Sequence, residues 1–173
     1  MENALTYEGG AFVNFRLFRW RGPWAHGFRW VSTKHLRFSP GSASDADLLA
    51  ALIGHEQFRD AYAGSGVRPD EIRHGPYWLR LITPREYDAV GREECARVLR
   101  EWANQYEPVP ADLEAVLERE AFACVAAADR VHHLRELGDG AVHDWGRVQD
   151  CFHEFVLIDR SAGRITLLVA TDD

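Results

Sequence analysis

Residues 151–159, CFHEFVLID, and residues 164–171, RITLLVAT, flank Arg160, Ser161, Ala162 and Gly163. Glycine at the end of that four-residue turn accepts the positive φ a tight reversal needs. The two runs therefore read as an antiparallel hairpin, with Asp159 facing Arg164 across its mouth. Phe155, Val156, Leu157 and Ile158 are apolar in succession. A half-solvated strand would alternate, so this strand lies inside a sheet.

A second hairpin precedes it. Residues 11–20 (AFVNFRLFRW) alternate imperfectly, residues 28–38 (FRWVSTKHLRF) form another strand, and Gly22-Pro23 and Gly27 break the chain between them. That connecting loop carries Trp24 and His26. Ser44 and Asp47 make a capping box, which starts a helix running to about Tyr62. Residues 63–69 (AGSGVRP) are a break, and residues 76–83 (PYWLRLIT) a short strand. Thr83, Pro84 and Glu86 combine an N-cap, a proline at the first helical position and a closing carboxylate, so a second helix is expected to about Tyr106. Pro108 and Pro110 lead into a third helix over 111–137, which Gly138 and Gly140 end. Residues 138–150 form a loop before the final hairpin. The order β-β-α-β-α-α-β-β predicts a single α+β domain over residues 1–173. Its sheet is antiparallel or mixed, of about five strands, with three helices packed mainly on one face.

The chain has 173 residues, 46% apolar and 27% charged, which excludes a disordered chain, a collagen-like repeat and a coiled-coil rod. Its net charge of −7 argues against duplex DNA as a partner. The longest wholly apolar run, residues 121–128, is too short to span a bilayer. No secretory signal is visible, and three cysteines outside any C-x-x-C pair fit a reducing compartment, so a soluble cytoplasmic protein is expected. Lys34 is the only lysine; the other nineteen basic residues are arginines. From Gly9 to Ser44 there is no acidic residue, while Arg16, Arg19, Arg21, Arg29, Lys34 and Arg37 are basic.

No Walker loop, no G-x-G-x-x-G after a strand, no H-E-x-x-H and no G-x-S-x-G is present. The N-terminal segment interleaves arginines with Phe12, Phe15, Phe18, Trp20, Trp24, Phe28, Trp30 and Phe38. Aromatic faces stack on flat ligands, and guanidinium groups fork onto carboxylate or phosphate. Arg16, Arg29, Trp20, Trp30 and Phe18 are therefore candidate ligand-binding residues, against the plainer reading of inward aromatics with arginines stacked along their edges. At 100° per residue, Glu120 falls between Leu113, Leu117, Cys124 and Val131, and Glu56 falls near Leu49 and Leu52 with His55 beside it. With His153, these are the acid–base candidates; helices ending early would leave the carboxylates on the surface. Asp129 and His133, with His143 from the following loop, have loose metal-ligand spacing, but no tight signature supports a metal site. Cys151 and His153 are too far apart along one strand for an easy dyad.

Two functions follow as expectations. One is a binding protein that holds an anionic small molecule or a protein partner on its aromatic, arginine-rich N-terminal sheet, as inhibitor or immunity-type proteins do. The other is a small acid–base enzyme with a carboxylate and histidine pocket between sheet and helices, using no covalent nucleophile. The ligand, any cofactor and the oligomeric state are not legible at this level.

Overall fold

The computed structural model describes residues 4–22, 28–41, 43–64 and 66–173. Trp24 and His26 lie outside them. The chain forms β1 (Thr6–Asn14), β2 (Arg29–Arg37), α1 (Asp45–Ile53), β3 (Arg73–His74), β4 (Tyr77–Trp78), β5 (Tyr87–Val90), α2 (Arg92–Ala103), α3 (Ala111–Leu117), α4 (Ala123–Ala127), β6 (Arg130–Leu134), β7 (Asp150–Asp159) and β8 (Arg164–Asp172). Six strands build one antiparallel sheet in the order β1-β2-β8-β7-β6-β5, and β3 and β4 pair separately. The α+β class holds, with one strand more than the five expected. No helix among the described residues is long and apolar enough to cross a membrane.

The terminal hairpins form the centre. β7 and β8 pair with Asp159 opposite Arg164, and β8 pairs with β2 from Arg29–Asp172 to Arg37–Arg164. Successive β7 side chains feed two cores. Phe155 and Leu157 join Leu168, Leu99, Leu113 and Phe122 on the face covered by α2, α3 and α4. Val156 and Ile158 join Ile165, Leu167, Leu49 and Phe58 on the opposite face, covered by α1 and the segment after it. Two layers thus enclose this strand, which explains its unbroken apolar run.

Residues α3 to α4 form one continuous helix with a π turn at Glu118–Phe122. Leu113, Leu117, Ala121 and Val125, spaced by four, are all buried in one core. In a pure α-helix a four-residue spacing drifts by about 40° per step. The wider π turn takes back that drift and keeps the stripe against the sheet.

Three expected helices are shorter than their sequence pattern. The Ser44–Asp47 capping box is present, but α1 ends at Ile53, with Gly54 as its C-cap. The Thr83–Glu86 box caps only a 3₁₀ turn at Pro84–Glu86; Tyr87 then enters β5, and α2 starts after Gly91. The third helix stops at Ala127, and Arg130–Leu134 becomes β6. The physical reason is β7: its backbone needs a ladder partner on the side away from β8, and β6 supplies it. Asp129 N–H already donates to Ile158 O at 2.8 Å. Asp129 and His133 therefore flank or lie in extended chain and do not share a helical face. Residues 76–83 contain only the two-residue β4 and a 3₁₀ turn.

Asp45, in the first turn of α1, ties that helix to the sheet. Its Oδ2 accepts from His132 Nε2 at 2.8 Å and Arg130 Nε at 3.1 Å, and its Oδ1 accepts from Arg160 Nη2 at 2.6 Å. Burial works against the charge, but these three donors outweigh it and hold the carboxyl down at about 2. A depressed carboxyl stabilises the fold above its unfolded value and loses that contribution as pH falls through the folded one. Asp45→Asn is expected to cost about 1 kcal/mol at neutral pH, allowing for solvent screening. In urea titrations the gap to the parent protein should hold above about pH 4 and close towards pH 2. A gap that is independent of pH would show that the charge on Asp45 contributes nothing.

Candidate functional site

Side chains at even positions of β2 face the α1 side of the sheet. Trp30 and Leu36 belong to that core, and Ser32 and Lys34 lie between them. Lys34 is only 7% exposed. A buried ammonium needs a partner, and the segment after α1 provides one. Lys34 Nζ donates to Asp60 Oδ2 at 2.7 Å and to the Gln57 carbonyl at 2.9 Å. Asp60 Oδ1 accepts the backbone N–H of Tyr62 at 2.8 Å. That bond helps hold Tyr62 at φ 55°, a left-handed conformation costly for a bulky side chain.

The strained turn places the Tyr62 ring beside Trp30 at 5.2 Å, and Trp30 lies 5.2 Å from Phe12 on β1. The three rings, with Tyr7, Ser32, Lys34 and Asp60, line an open cleft of about 520 Å³. Lys34 Nζ sits 4.9 Å over the Tyr62 ring. Gly10 on the cleft wall has no room for a side chain, because a Cβ there would lie 1.8 Å from the Thr33 carbonyl. Asp173 stands at the rim beside the Trp30 indole, and burial pushes its carboxyl up. Burial, reinforced by Asp60 and Glu154, raises the Tyr62 hydroxyl well above the usual phenol range, so it stays protonated. Its oxygen is buried without a well-formed hydrogen bond, near the Ser32 hydroxyl.

Behind the cleft lies a sealed polar chain. Glu154 on β7 and His74 on β3 are both fully buried. The Tyr87 hydroxyl donates to Glu154 Oε1, and His74 Nε2 is hydrogen-bonded to Glu154 Oε2. His74 Nδ1 faces the Phe58 carbonyl at 2.6 Å, which can only accept. The imidazole and carboxylate therefore hold one proton between them. Phe58 stacks flat on His74 with ring centroids 3.6 Å apart. Gly75 N–H donates to the Asp60 carbonyl at 2.9 Å, so the chain that places His74 also places Asp60.

The residues singled out from sequence are dispersed. Trp30 lines the cleft. Arg29 points to the other face and is 1% exposed: it donates to Asp172 and to the Trp102 and Ala103 carbonyls, closing the C-terminal end of α2. Trp20 donates its indole N–H to the Phe15 carbonyl at 3.0 Å, and Phe18 packs against the α2–α4 core. Arg16 is exposed, with its guanidinium 4.7 Å over the Phe28 ring. Phe12 and Trp30 thus face the cleft, while Phe15, Phe18 and Trp20, in and after the 3₁₀ turn that follows β1, pack on the opposite face. Glu120 lies in the π turn, where the 100° phase does not apply, and pairs with Arg119 at 3.1 Å. Glu56 lies beyond the end of α1 and is exposed. His55 caps the turn that Glu56 opens, accepting from Gln57 N–H at 3.1 Å. His153 lies on the α2–α4 side of β7, its ring 6.1 Å from His133, in a separate cleft of about 480 Å³ that also holds Cys151. Glu120 is not among that cleft's lining residues. Among the described residues no three His, Cys, Asp or Glu side chains are grouped to hold a metal ion.

Asp60, Tyr62, His74 and Glu154 belong to no motif in the sequence, and only their partners on other elements bring them together. Lys34 carried a signal: it is the sole lysine, in phase along its strand with Trp30 and Leu36. Comparison with protein-family models, curated proteins and solved structures gave no match.

Two outcomes follow. Glu154→Ala leaves the His74 ring and the Tyr87 hydroxyl buried without their partner, so a loss of about 3 kcal/mol is expected in chemical denaturation. Amide exchange over residues 55–78 should rise with it; protection unchanged there would mean that Glu154 does not anchor this segment. Burial, aided by His133, lowers the pKa of His153. A histidine held neutral in the fold costs stability as pH drops below its unfolded value of 6.5. His153→Gln should therefore flatten the fall in melting temperature between pH 7 and pH 5, and an unaltered slope would contradict this.

Proposed function

We propose that this is a binding protein whose N-terminal hairpin holds a flat aromatic small molecule bearing a carbonyl or carboxylate oxygen. The observation that carries this reading is the row Phe12–Trp30–Tyr62, with 5.2 Å between successive ring centroids, above a buried ammonium. Aromatic rings prefer offset or tilted neighbours at this spacing, and a planar ligand extends such a row. Phe12 is 61% exposed, an apolar surface left for something to cover. Lys34 has three N–H donors and two protein acceptors, so one donor remains for a ligand oxygen.

The charge of the ligand follows from the same contacts. Asp60 already balances Lys34, Asp173 adds negative charge at the rim, and Arg29 is occupied elsewhere. A neutral carbonyl compound or a singly charged carboxylate suits such a cleft, and a phosphate ester does not. The acid–base alternative would need its carboxylate and imidazole to reach a substrate. Glu154 and His74 are fully buried, which favours a supporting role for them.

The test compares 4-hydroxybenzamide with 4-hydroxybenzoate by thermal shift and calorimetry at low and high salt. Both should bind saturably, the benzoate with only a weak dependence on salt. Phe12→Ala should weaken both by about tenfold, the equivalent of one lost ring contact. Absence of saturable binding, or affinities untouched by Phe12→Ala and Tyr62→Ala, would sink the reading.

A further inference from the structure

We propose that Lys34 is a reactive amine that captures an aldehyde group of the bound aromatic ligand as an imine. This rests on the ligand-binding reading above and makes its chemistry specific.

The first ground is the choice of residue. Nineteen basic positions are arginine, and the one lysine is buried at the floor of the aromatic cleft. A guanidinium can pair with Asp60, but it cannot serve as an amine nucleophile. The second ground is the arrangement. Asp60 Oδ2 is 2.7 Å from Nζ, in place to accept a proton from it, and the Gln57 carbonyl at 2.9 Å fixes the direction of the amine. The third is the wall: Trp30 and Tyr62 would hold an aromatic aldehyde by its ring while its carbonyl carbon meets Nζ.

The step balances on these groups. Asp60 takes one proton from the Lys34 ammonium. The freed pair on Nζ forms the C–N bond as the carbonyl π pair moves to oxygen. Asp60 returns that proton to the oxygen, giving a carbinolamine, then carries a second proton from nitrogen to the hydroxyl. The C–O bond breaks, water leaves, and the protonated C=N remains with the Asp60 carboxylate as counter-ion. Ammonium plus aldehyde thus gives iminium plus water. Burial lowers the Lys34 pKa against the pull of Asp60 and Glu154, which helps to free the amine.

The experiment treats the whole protein with 4-hydroxybenzaldehyde and sodium cyanoborohydride, which reduces an imine to a stable secondary amine, and maps the adduct by peptide mass spectrometry. With a single lysine, an adduct on a side-chain amine can only be at Lys34. The expected result is such an adduct at Lys34, competed away by 4-hydroxybenzamide and lost in Lys34→Arg, with the variant's fold checked by circular dichroism. Adduct confined to the α-amine, equal total yield in Lys34→Arg, or trapping at Lys34 that the amide does not compete would overturn the proposal. If the amide raises the melting temperature but no Lys34 adduct forms, covalent capture falls and the binding reading stands. If the amide does not bind and no adduct forms, both fall.

Discussion

A carboxylate buried in the middle of a sheet must find its donors on other elements, and Glu154 organises this protein accordingly. It has no access to water, so each oxygen needs a donor. One comes from Tyr87 on the far edge strand and the other from His74, in a segment with little regular structure of its own. That second bond ties the segment that carries His74 down over the sheet as a lid. Breaking it would leave two buried polar groups without their partner, so the segment cannot lift without a large cost.

The lid carries a second buried pair. Lys34 on β2 and Asp60 on the lid form a second buried link between sheet and lid beside that of Glu154 and His74. Two separate links fix the lid's position along the sheet as well as its height, because a slipped register would break both. Arg29 does comparable work on the other face, where it closes the last turn of α2 and bonds to β8. Each layer is thus attached through buried polar contacts in addition to its apolar ones. The cleft opens where the lid stops short of β1.

What could be read from the chain followed from local rules. The 151–171 hairpin was legible because its turn, its paired ends and its apolar run agree. The N-terminal hairpin was legible because its glycines and proline fall together, but not the bounds of its first strand: β1 is Thr6–Asn14, and a 3₁₀ turn takes Phe15–Leu17 out of the expected 11–20 stretch. The caps at Ser44 and Thr83 were legible as caps, but the length of what they cap was not, since Tyr87 enters β5 by pairing with Leu134 of β6, far away in sequence. β6 was hidden for the same reason: Arg130–Leu134 follows a helix directly and becomes a strand through its pairing with β7. The candidate site was legible only at Trp30 and in the oddity of a single lysine. Asp60, Tyr62 and His74 sit in a segment without periodicity, and their meaning comes from partners on other elements.

The π turn at Glu118–Phe122 is also where this helix tolerates a change of length. Such a turn is an ordinary helix carrying one surplus residue, with the excess confined to a single widened loop of backbone. Segments on either side keep their orientation whether or not the surplus is there. Removing one residue there would return the stretch to regular α-helix with its apolar stripe still turned to the sheet.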